Sequence, residues 1–124
     1  MTALPFFVQT ATYAGKDRRR AVRYPARIDI QFPADGAYVK AQTQDISRQG
    51  FWFNSPRSLP LGTVITVELD LPRDASPWPI AVVAKVVRCV PRDQDNFALA
   101  VEILKTSKEE MDCIINYALA HRVE

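Results

Sequence analysis

The sequence predicts one mainly β domain, a closed or nearly closed antiparallel β-barrel followed by a C-terminal amphipathic helix. Three observations predict it. The chain has 124 residues, a length typical of one domain with a single core. Between Ala26 and Leu104 short apolar segments with the two-residue period of strands alternate with turn residues. After Leu104 the apolar period becomes that of a helix.

The predicted strands differ in how clearly they alternate. "ARIDIQF" and "TVITVELDL" place apolar and polar side chains on opposite faces, the pattern of half-buried strands. "AYVKAQTQDIS" alternates less regularly after the turn "PADG", and the valine-rich "PIAVVAKVVRCV" is separated from "NFALAVEIL" by the polar turn "PRDQDN". Strands at this spacing are typical of a barrel.

The last segment predicts a helix at about residues 107–121. Ser107 followed by Glu110 is a capping-box signature. The apolar residues then recur at helical spacing, at Met111, Ile114, Ile115, Ala118 and Leu119. One face of this helix is therefore expected to pack on the barrel or on a partner, and a homodimer formed through it stays open.

Composition and charge exclude several classes of protein. The net charge is only +2, whereas binding to long nucleic acid needs a broad basic face. The start of the chain lacks the basic residues of a signal peptide and any apolar stretch long enough to cross a bilayer, so we expect a cytoplasmic protein without membrane insertion. Cys89 and Cys113 are expected to be reduced and buried.

No catalytic or metal-binding constellation is evident in the sequence. His121 follows Cys113 by eight residues, a rise of about 12 Å along the predicted helix, too far for a nucleophile and its base. No His/Cys cluster suggests zinc, and "DQDN" lacks the other residues of a calcium loop. We therefore expect neither enzymatic activity nor a metal nor a cofactor.

Cationic charge is concentrated in one short segment, "KDRRRAVRYP". It holds four arginines within six positions, Arg18, Arg19, Arg20 and Arg23. Tyr24 precedes a proline, which favours an extended backbone. We call residues 18–23 the basic arm, and we expect it to lead into the first strand and to bind a compact anion.

A second polar segment, "DISRQG", spans Asp45 to Gly50. Asp45 and Ser47 are two residues apart, so both are expected on one face of a strand, while Gly50 suits a tight turn or a close approach of the backbone to a ligand. Ordinary turn chemistry also explains these residues. Together with the basic arm they could hold a guanine, because guanidinium groups match O6, N7 and phosphate, and a carboxylate matches N1–H and the amino group.

The two segments, in this order, resemble the RxxxR and (D/N)xSxxG motifs of PilZ domains, bacterial receptors for the second messenger cyclic di-GMP. The resemblance extends from about Arg18 to Leu104 and includes "GFWFNSP", "LPLGTVITVELDLP" and the final hairpin. It implies a six- or seven-stranded barrel that binds cyclic di-GMP at its rim. By position, Arg19 and Arg23 form the first motif, Arg20 is an additional contributor, and Asp45, Ser47 and Gly50 form the second.

Several details of the resemblance concern individual positions. Arg18 resembles the basic residue of family members that bind a stacked pair of ligands, so two nucleotides per chain are expected. Arg27 also fits RxxxR with Arg23, but its alternation with Ile28 places it on the outside of the first strand. Ala98 or Ala100 replaces a glycine that the family often has. Arg48 is a further candidate, for a phosphate contact or for solvent.

Two tryptophans remain outside these motifs. Trp52, between Phe51 and Phe53, is expected to pack in the core or at the rim, and the alternative is a stacking platform. Trp78, between two prolines, is expected in a loop over one end of the barrel, where it could mark a partner surface.

The sequence thus predicts an N-terminal segment, residues 1–17, without an assignable role, and a single PilZ-like domain at residues 18–124. The expected function is that of a stand-alone cyclic di-GMP receptor or adaptor, which signals to a protein partner by ordering of the basic arm. The alternatives are a ligand-free adaptor of the same fold in motility or pilus assembly, and a nucleic-acid-binding barrel.

Overall fold

Six antiparallel strands form a closed barrel in the computed structural model, which describes residues 21–93 and 95–123. The neighbours around the barrel follow the order β1-β2-β3-β6-β5-β4. This confirms the predicted fold class, with six strands. The elements are β1 (Asp29–Ala34), β2 (Ala37–Ile46), β3 (Gly50–Ser55), β4 (Val64–Asp70), β5 (Ile80–Pro91), β6 (Phe97–Lys105) and α1 (Lys108–Ala120).

The alternation of apolar and polar residues along the strands determines which side chains point into the barrel and which point to solvent. Ile28, Ile30 and Phe32 are buried and Arg27 is exposed, as predicted. Phe32, Phe51 and Phe53 lie at the centre of the core, where the rings of Phe32 and Phe53 are 5.4 Å apart. The inward positions are mostly apolar, with Thr43 and Ser55 as buried polar exceptions, so side chains fill the interior of this small barrel.

The β1–β2 turn has the sequence that a two-residue hairpin requires. Asp35 and Gly36 both have positive φ, 53° and 80°. This is the conformation of a type I′ turn, whose twist matches that of the paired strands. The turn sets the register in which Ala34 pairs with Ala37.

The C-terminal helix packs on the barrel and begins at the predicted cap. The Ser107 side chain accepts a hydrogen bond from the Glu110 N–H, and the Glu110 side chain accepts one from the Ser107 N–H. The helix buries four residues of the predicted stripe, Met111, Ile114, Ile115 and Ala118. Leu119, the last residue of the predicted stripe, is not buried against the barrel and is 43% exposed. It lies about 100° around the helix axis from Ala118, which faces the barrel.

The remaining predictions on the fold are partly confirmed. Cys89 and Cys113 are free thiols, but each is only partly buried, which corrects the predicted full burial. Each lies at the edge of the core rather than at its centre. In the described ranges no helix is long and apolar enough to span a membrane. The N-terminal segment, residues 1–17, and Arg18, Arg19 and Arg20 of the basic arm lie outside the described residues.

Candidate functional site

A β-bulge in β2 turns Asp45 toward the outside of the barrel. Val39 and Thr43 point inward, so a regular strand with its two-residue period would also bury Asp45. The pairing with β3 shifts between Thr43 and Asp45, which inserts Gln44 as an extra residue. Ile46 is therefore the next inward residue, and the Asp45 side chain stays 25% exposed at the rim.

The Asp45 carboxylate is bound from two sides. Arg23 donates from Nε and Nη2 to Oδ1, at 3.2 and 2.6 Å. The indole N–H of Trp52 donates to Oδ2 at 3.2 Å. The backbone places Arg23 here, since Tyr24 and Ile46 exchange two hydrogen bonds of 2.8 and 2.9 Å. The structure thus brings together one residue from each of the two segments that the sequence singled out.

Ser47 lies beyond the end of β2, not beside Asp45 on its outer face. Its side chain is buried and its hydroxyl donates to the Gly50 carbonyl and accepts from the Gln49 and Gly50 N–H groups. The expectation that both side chains share one strand face is therefore wrong. The strand ends at Ile46, and the hydroxyl closes the β2–β3 turn in place of a backbone group.

Gly50 is required by a close approach between two strands. A Cβ atom built on Gly50 would lie 2.1 Å from the carbonyl oxygen of Val101 in β6. Gly50 also pairs with Glu102 of β6, so the contact belongs to the barrel wall. The sequence suggested a tight turn or a close approach of the backbone to a ligand. In the structure Gly50 instead allows the close approach of the neighbouring strand β6.

Arg48 connects the β2–β3 turn to the C-terminal helix. Its Nη2 lies 3.1 Å from Oδ1 of Asp112, whose other oxygen is 3.0 Å from Nζ of Lys108. Lys108 and Arg48 hold the pKa of Asp112 below its usual value by their hydrogen bonds to the carboxylate. The sequence left two roles open for Arg48, a phosphate contact or exposure to solvent. In the structure its guanidinium instead contacts Asp112 of α1.

We expect Asp112 to stabilise the fold slightly and only above acidic pH. A carboxyl group with a lowered pKa contributes stability at neutral pH, and that contribution is lost as the pH falls through the lowered pKa. The Asp112→Asn variant should therefore be less stable than the parent at pH 7 and equally stable near pH 2. Because the pair is exposed, the difference should also shrink in 1 M salt. Urea unfolding at the two pH values measures it, and a difference that persists at low pH would contradict it.

Trp52 takes part in the site in a way that the sequence reading missed. It was expected to pack in the core or at the rim, and its position at the rim is confirmed by partial burial. Its hydrogen bond to Asp45 was not foreseen, and the guanidinium of Arg92 lies 5.8 Å from its ring centroid. The signal was present in "GFWF", where Phe51 and Phe53 point inward and Trp52 must point outward.

A separate groove of about 910 Å³ lies on the other side of the barrel. It is bordered by β1, β4 and the loop before β5, which carries Trp78, 51% exposed as predicted for a loop residue. Its charged lining is mixed and contains Asp29, Glu68 and Asp70 as well as Lys40 and Arg73. None of the residues around Asp45 lines it.

Comparison with known families identifies the class of protein that this fold and site define. The family model of the PilZ domain matches residues 17–120. The match covers most of the chain, including both motifs and the helix. The chain therefore belongs to the PilZ domain family. A search of curated proteins finds no match.

Several solved structures share this fold. The inhibitor of motility MotI/DgrA of Bacillus subtilis is similar, with a TM-score of 0.68, 18% identity, and coverage of 85% of this chain and 51% of its own. The PilZ domain of Escherichia coli YcgR with cyclic di-GMP has a TM-score of 0.63 and 16% identity, with 85% and 92% covered. The PilZ domain of CeSA from a cellulose-synthesizing bacterium has a TM-score of 0.56 and 18% identity, with 80% and 96% covered. This chain spans about half the length of the Bacillus protein.

Proposed function

We propose that this protein is a receptor for cyclic di-GMP and not an enzyme, and that the ligand binds at the rim around Asp45. The observation that carries the proposal is the meeting of Arg23 and Asp45, 22 residues apart in sequence, at one exposed carboxylate. The proposed site consists of the residues of the two motifs, some in contact with the ligand and some that hold the site in place: Arg18, Arg19, Arg20, Arg23, Asp45, Ser47 and Gly50, with Arg48 as an additional one.

The chemistry of these groups fits guanine and phosphate. Asp45 offers two acceptor oxygens, which match the N1–H and amino donors of one guanine. Arg23 already reaches this carboxylate, so a bound guanine would replace part of that ion pair, and the freed guanidinium could bind a phosphate or the guanine O6 and N7. Both partners keep enough solvent exposure, 52% and 25%, for a ligand to reach them.

Ser47 and Gly50 support the site indirectly in this proposal. The Ser47 hydroxyl and the Gly50 backbone hold the turn that follows Asp45, so they fix where its carboxylate projects. A ligand contact by Ser47 would require its hydroxyl to exchange one of its turn hydrogen bonds. We therefore assign the direct hydrogen bonds to Asp45 and the arginines.

The similar structures add support at the level of the fold. The YcgR domain was solved with cyclic di-GMP, and its chain is almost fully covered by this fold. The proposal that this chain binds the same molecule rests on its own arginine and aspartate residues, since barrels of this kind can differ in ligand.

The proposed signal is the closure of the basic arm over the ligand. Fixing each backbone residue costs about 1–2 kcal/mol, which offsets several charge-assisted contacts, so we expect a dissociation constant near micromolar, about −8 kcal/mol. The residues just after the arm and the second motif both contact the C-terminal part of the chain, α1 and the residues that follow it. Pro25 accepts a hydrogen bond of 2.6 Å from Val123, and Arg48 binds Asp112. A partner protein that contacts the arm, the ligand and α1 together would bind only the ligand-bound state.

Limited proteolysis tests the closure of the arm. Trypsin cleaves after arginine, and we expect cyclic di-GMP to slow cleavage after Arg18, Arg19 and Arg20 at least severalfold, because a closed arm cannot enter the protease. GTP at the same concentration should have no such effect. Equal cleavage rates with and without cyclic di-GMP would contradict arm closure while leaving binding itself untouched.

Isothermal titration tests the proposed function. Cyclic di-GMP titrated into the full 124-residue chain should give saturable binding near micromolar, and GTP should give none. We propose two stacked nucleotides per chain, so the expected stoichiometry is two. Absence of binding heat at high ligand concentration, with an intact barrel, would instead favour a ligand-free adaptor.

A further inference from the structure

Four residues on adjacent strands form a continuous row across the outer face of the barrel. Asp45 of β2 lies opposite Trp52 of β3, Trp52 lies opposite Ala100 of β6, and Ala100 lies opposite Arg88 of β5. Residues directly opposite in antiparallel pairs project to the same face. The row therefore begins at the Asp45 carboxylate and continues over Trp52 and Ala100 to Arg88.

Both ends of this row are turned outward by β-bulges. Val82, Ala84 and Val86 of β5 point inward, so regular alternation would send Arg88 inward as well. The register with β6 shifts between Val86 and Arg88, and Cys89 packs against the core in its place. A β-bulge likewise turns Asp45 outward in β2. Bulges are frequent next to functional sites, where they redirect a side chain.

The middle of the row carries a small side chain between two larger planar groups. Ala100 carries only a methyl group, and Trp52 and Arg88 lie two strand spacings apart, roughly 10 Å between their backbones. The guanidinium of Arg92 lies over the indole, 5.8 Å from its centroid. A base that stacks on Trp52 must therefore take the place of this guanidinium or use the other face of the ring. Arg88 is exposed, so its guanidinium can lie parallel to a planar group over Ala100.

We propose that Trp52, Ala100 and Arg88 form a stacking shelf for a purine base of the ligand, next to the Asp45 carboxylate. This inference rests on the proposed function and extends its site beyond the two sequence motifs to β5 and β6. Indole and guanidinium are the two side-chain groups that stack best on a base. The positive charge of Arg88 also favours an anionic nucleotide over an uncharged aromatic ligand.

Two substitutions test the shelf, each with a matched control. Ala100→Leu places a larger side chain between the two planar groups, and Arg88→Ala removes one stacking wall. Ala81→Leu and Arg73→Ala make the same changes at exposed positions that border the groove on the other side of the barrel. We expect each shelf variant to weaken cyclic di-GMP binding at least about fivefold, which corresponds to the lower end of the free-energy range for one base-stacking contact. Each control should change the affinity less than about twofold.

Fluorescence gives an independent readout of the same contact. The chain has two tryptophans, so the Trp78→Phe variant leaves Trp52 as the single reporter. Stacking of guanine on Trp52 should quench its emission saturably, with the dissociation constant found by titration. Guanine bound only at Asp45 and the arginines would give binding heat without this quenching.

The outcomes separate this inference from the proposed function. If the parent protein does not bind cyclic di-GMP, both are wrong. If it binds and Asp45→Ala abolishes binding, while both shelf variants match their controls and Trp52 is not quenched, only the shelf is wrong. Arg88→Ala keeps the test decisive if the larger side chain of Ala100→Leu impairs folding.

Discussion

Asp45→Ala should weaken cyclic di-GMP binding by at least about 100-fold without unfolding the barrel. Hydrogen bonds to a charged group contribute about 1.5–3 kcal/mol each, and the variant removes the acceptor of two of them. The fold should survive because the Arg23–Asp45 pair is partly exposed, and such pairs contribute at most about 1 kcal/mol. Titration and thermal unfolding of the same sample measure both effects.

Asp70→Ala is the control for this prediction. Asp70 is an exposed strand carboxylate that borders the groove on the other side of the barrel. Its removal changes the net charge by the same amount, so any general electrostatic effect on an anionic ligand appears in both variants. Equal affinities of the two variants would contradict a guanine contact at Asp45, and loss of the cooperative unfolding transition in Asp45→Ala would show a structural role instead.

Gly50→Ala should destabilise the fold by about 3 kcal/mol, toward the upper part of the range for overpacking. The added Cβ would meet the Val101 carbonyl oxygen at 2.1 Å, and a backbone atom within a paired strand cannot move aside without separating β3 from β6. For a domain of this size such a loss lowers the unfolding midpoint by about 12 °C. Calorimetry or urea unfolding measures it, and the same variant should lose ligand binding in proportion to its unfolded fraction.

Gly36→Ala is the control that separates the steric clash at Gly50 from the general cost of replacing a glycine by alanine. Gly36 has φ of 80°, and nothing lies within 4 Å of the position that a Cβ atom would take there, so only the backbone preference is affected. That preference costs roughly 1–2 kcal/mol. A Gly50→Ala variant no less stable than Gly36→Ala would contradict the close approach of β3 and β6.

Local patterns were sufficient to predict much of the fold. The alternation in β1 and β4 identified the core residues, and the Ser107–Glu110 pair identified the start of α1. These features depend on neighbours a few residues apart, so the sequence displays them directly. Leu119 shows the limit: periodicity defines a stripe, but the barrel decides how far along the helix that stripe stays covered.

The candidate site depended more on long-range geometry. The motifs identified Arg23 and Asp45, but the outward direction of Asp45 depends on a bulge whose register is set by β3. The same applies to Gly50, whose close neighbour lies on β6, and to Arg48, whose partner is on α1. Arg88 joins Trp52 only through strand pairing. Contacts between segments that are distant in sequence produce no local periodicity, so they could not be predicted from the sequence pattern.

A residue-by-residue NMR titration tests most directly the claim that the two motifs form one ligand site. Cyclic di-GMP added to the 15N-labelled chain should shift the backbone amide signals of residues 23–24 and 45–52, and those of Arg88 and Ala100. The signals of residues 72–79, in the loop beside the other groove, should not move. Saturable shifts confined to these rim positions are the result that we predict. Shifts centred on the loop at Trp78, or none at saturating ligand, would contradict the account.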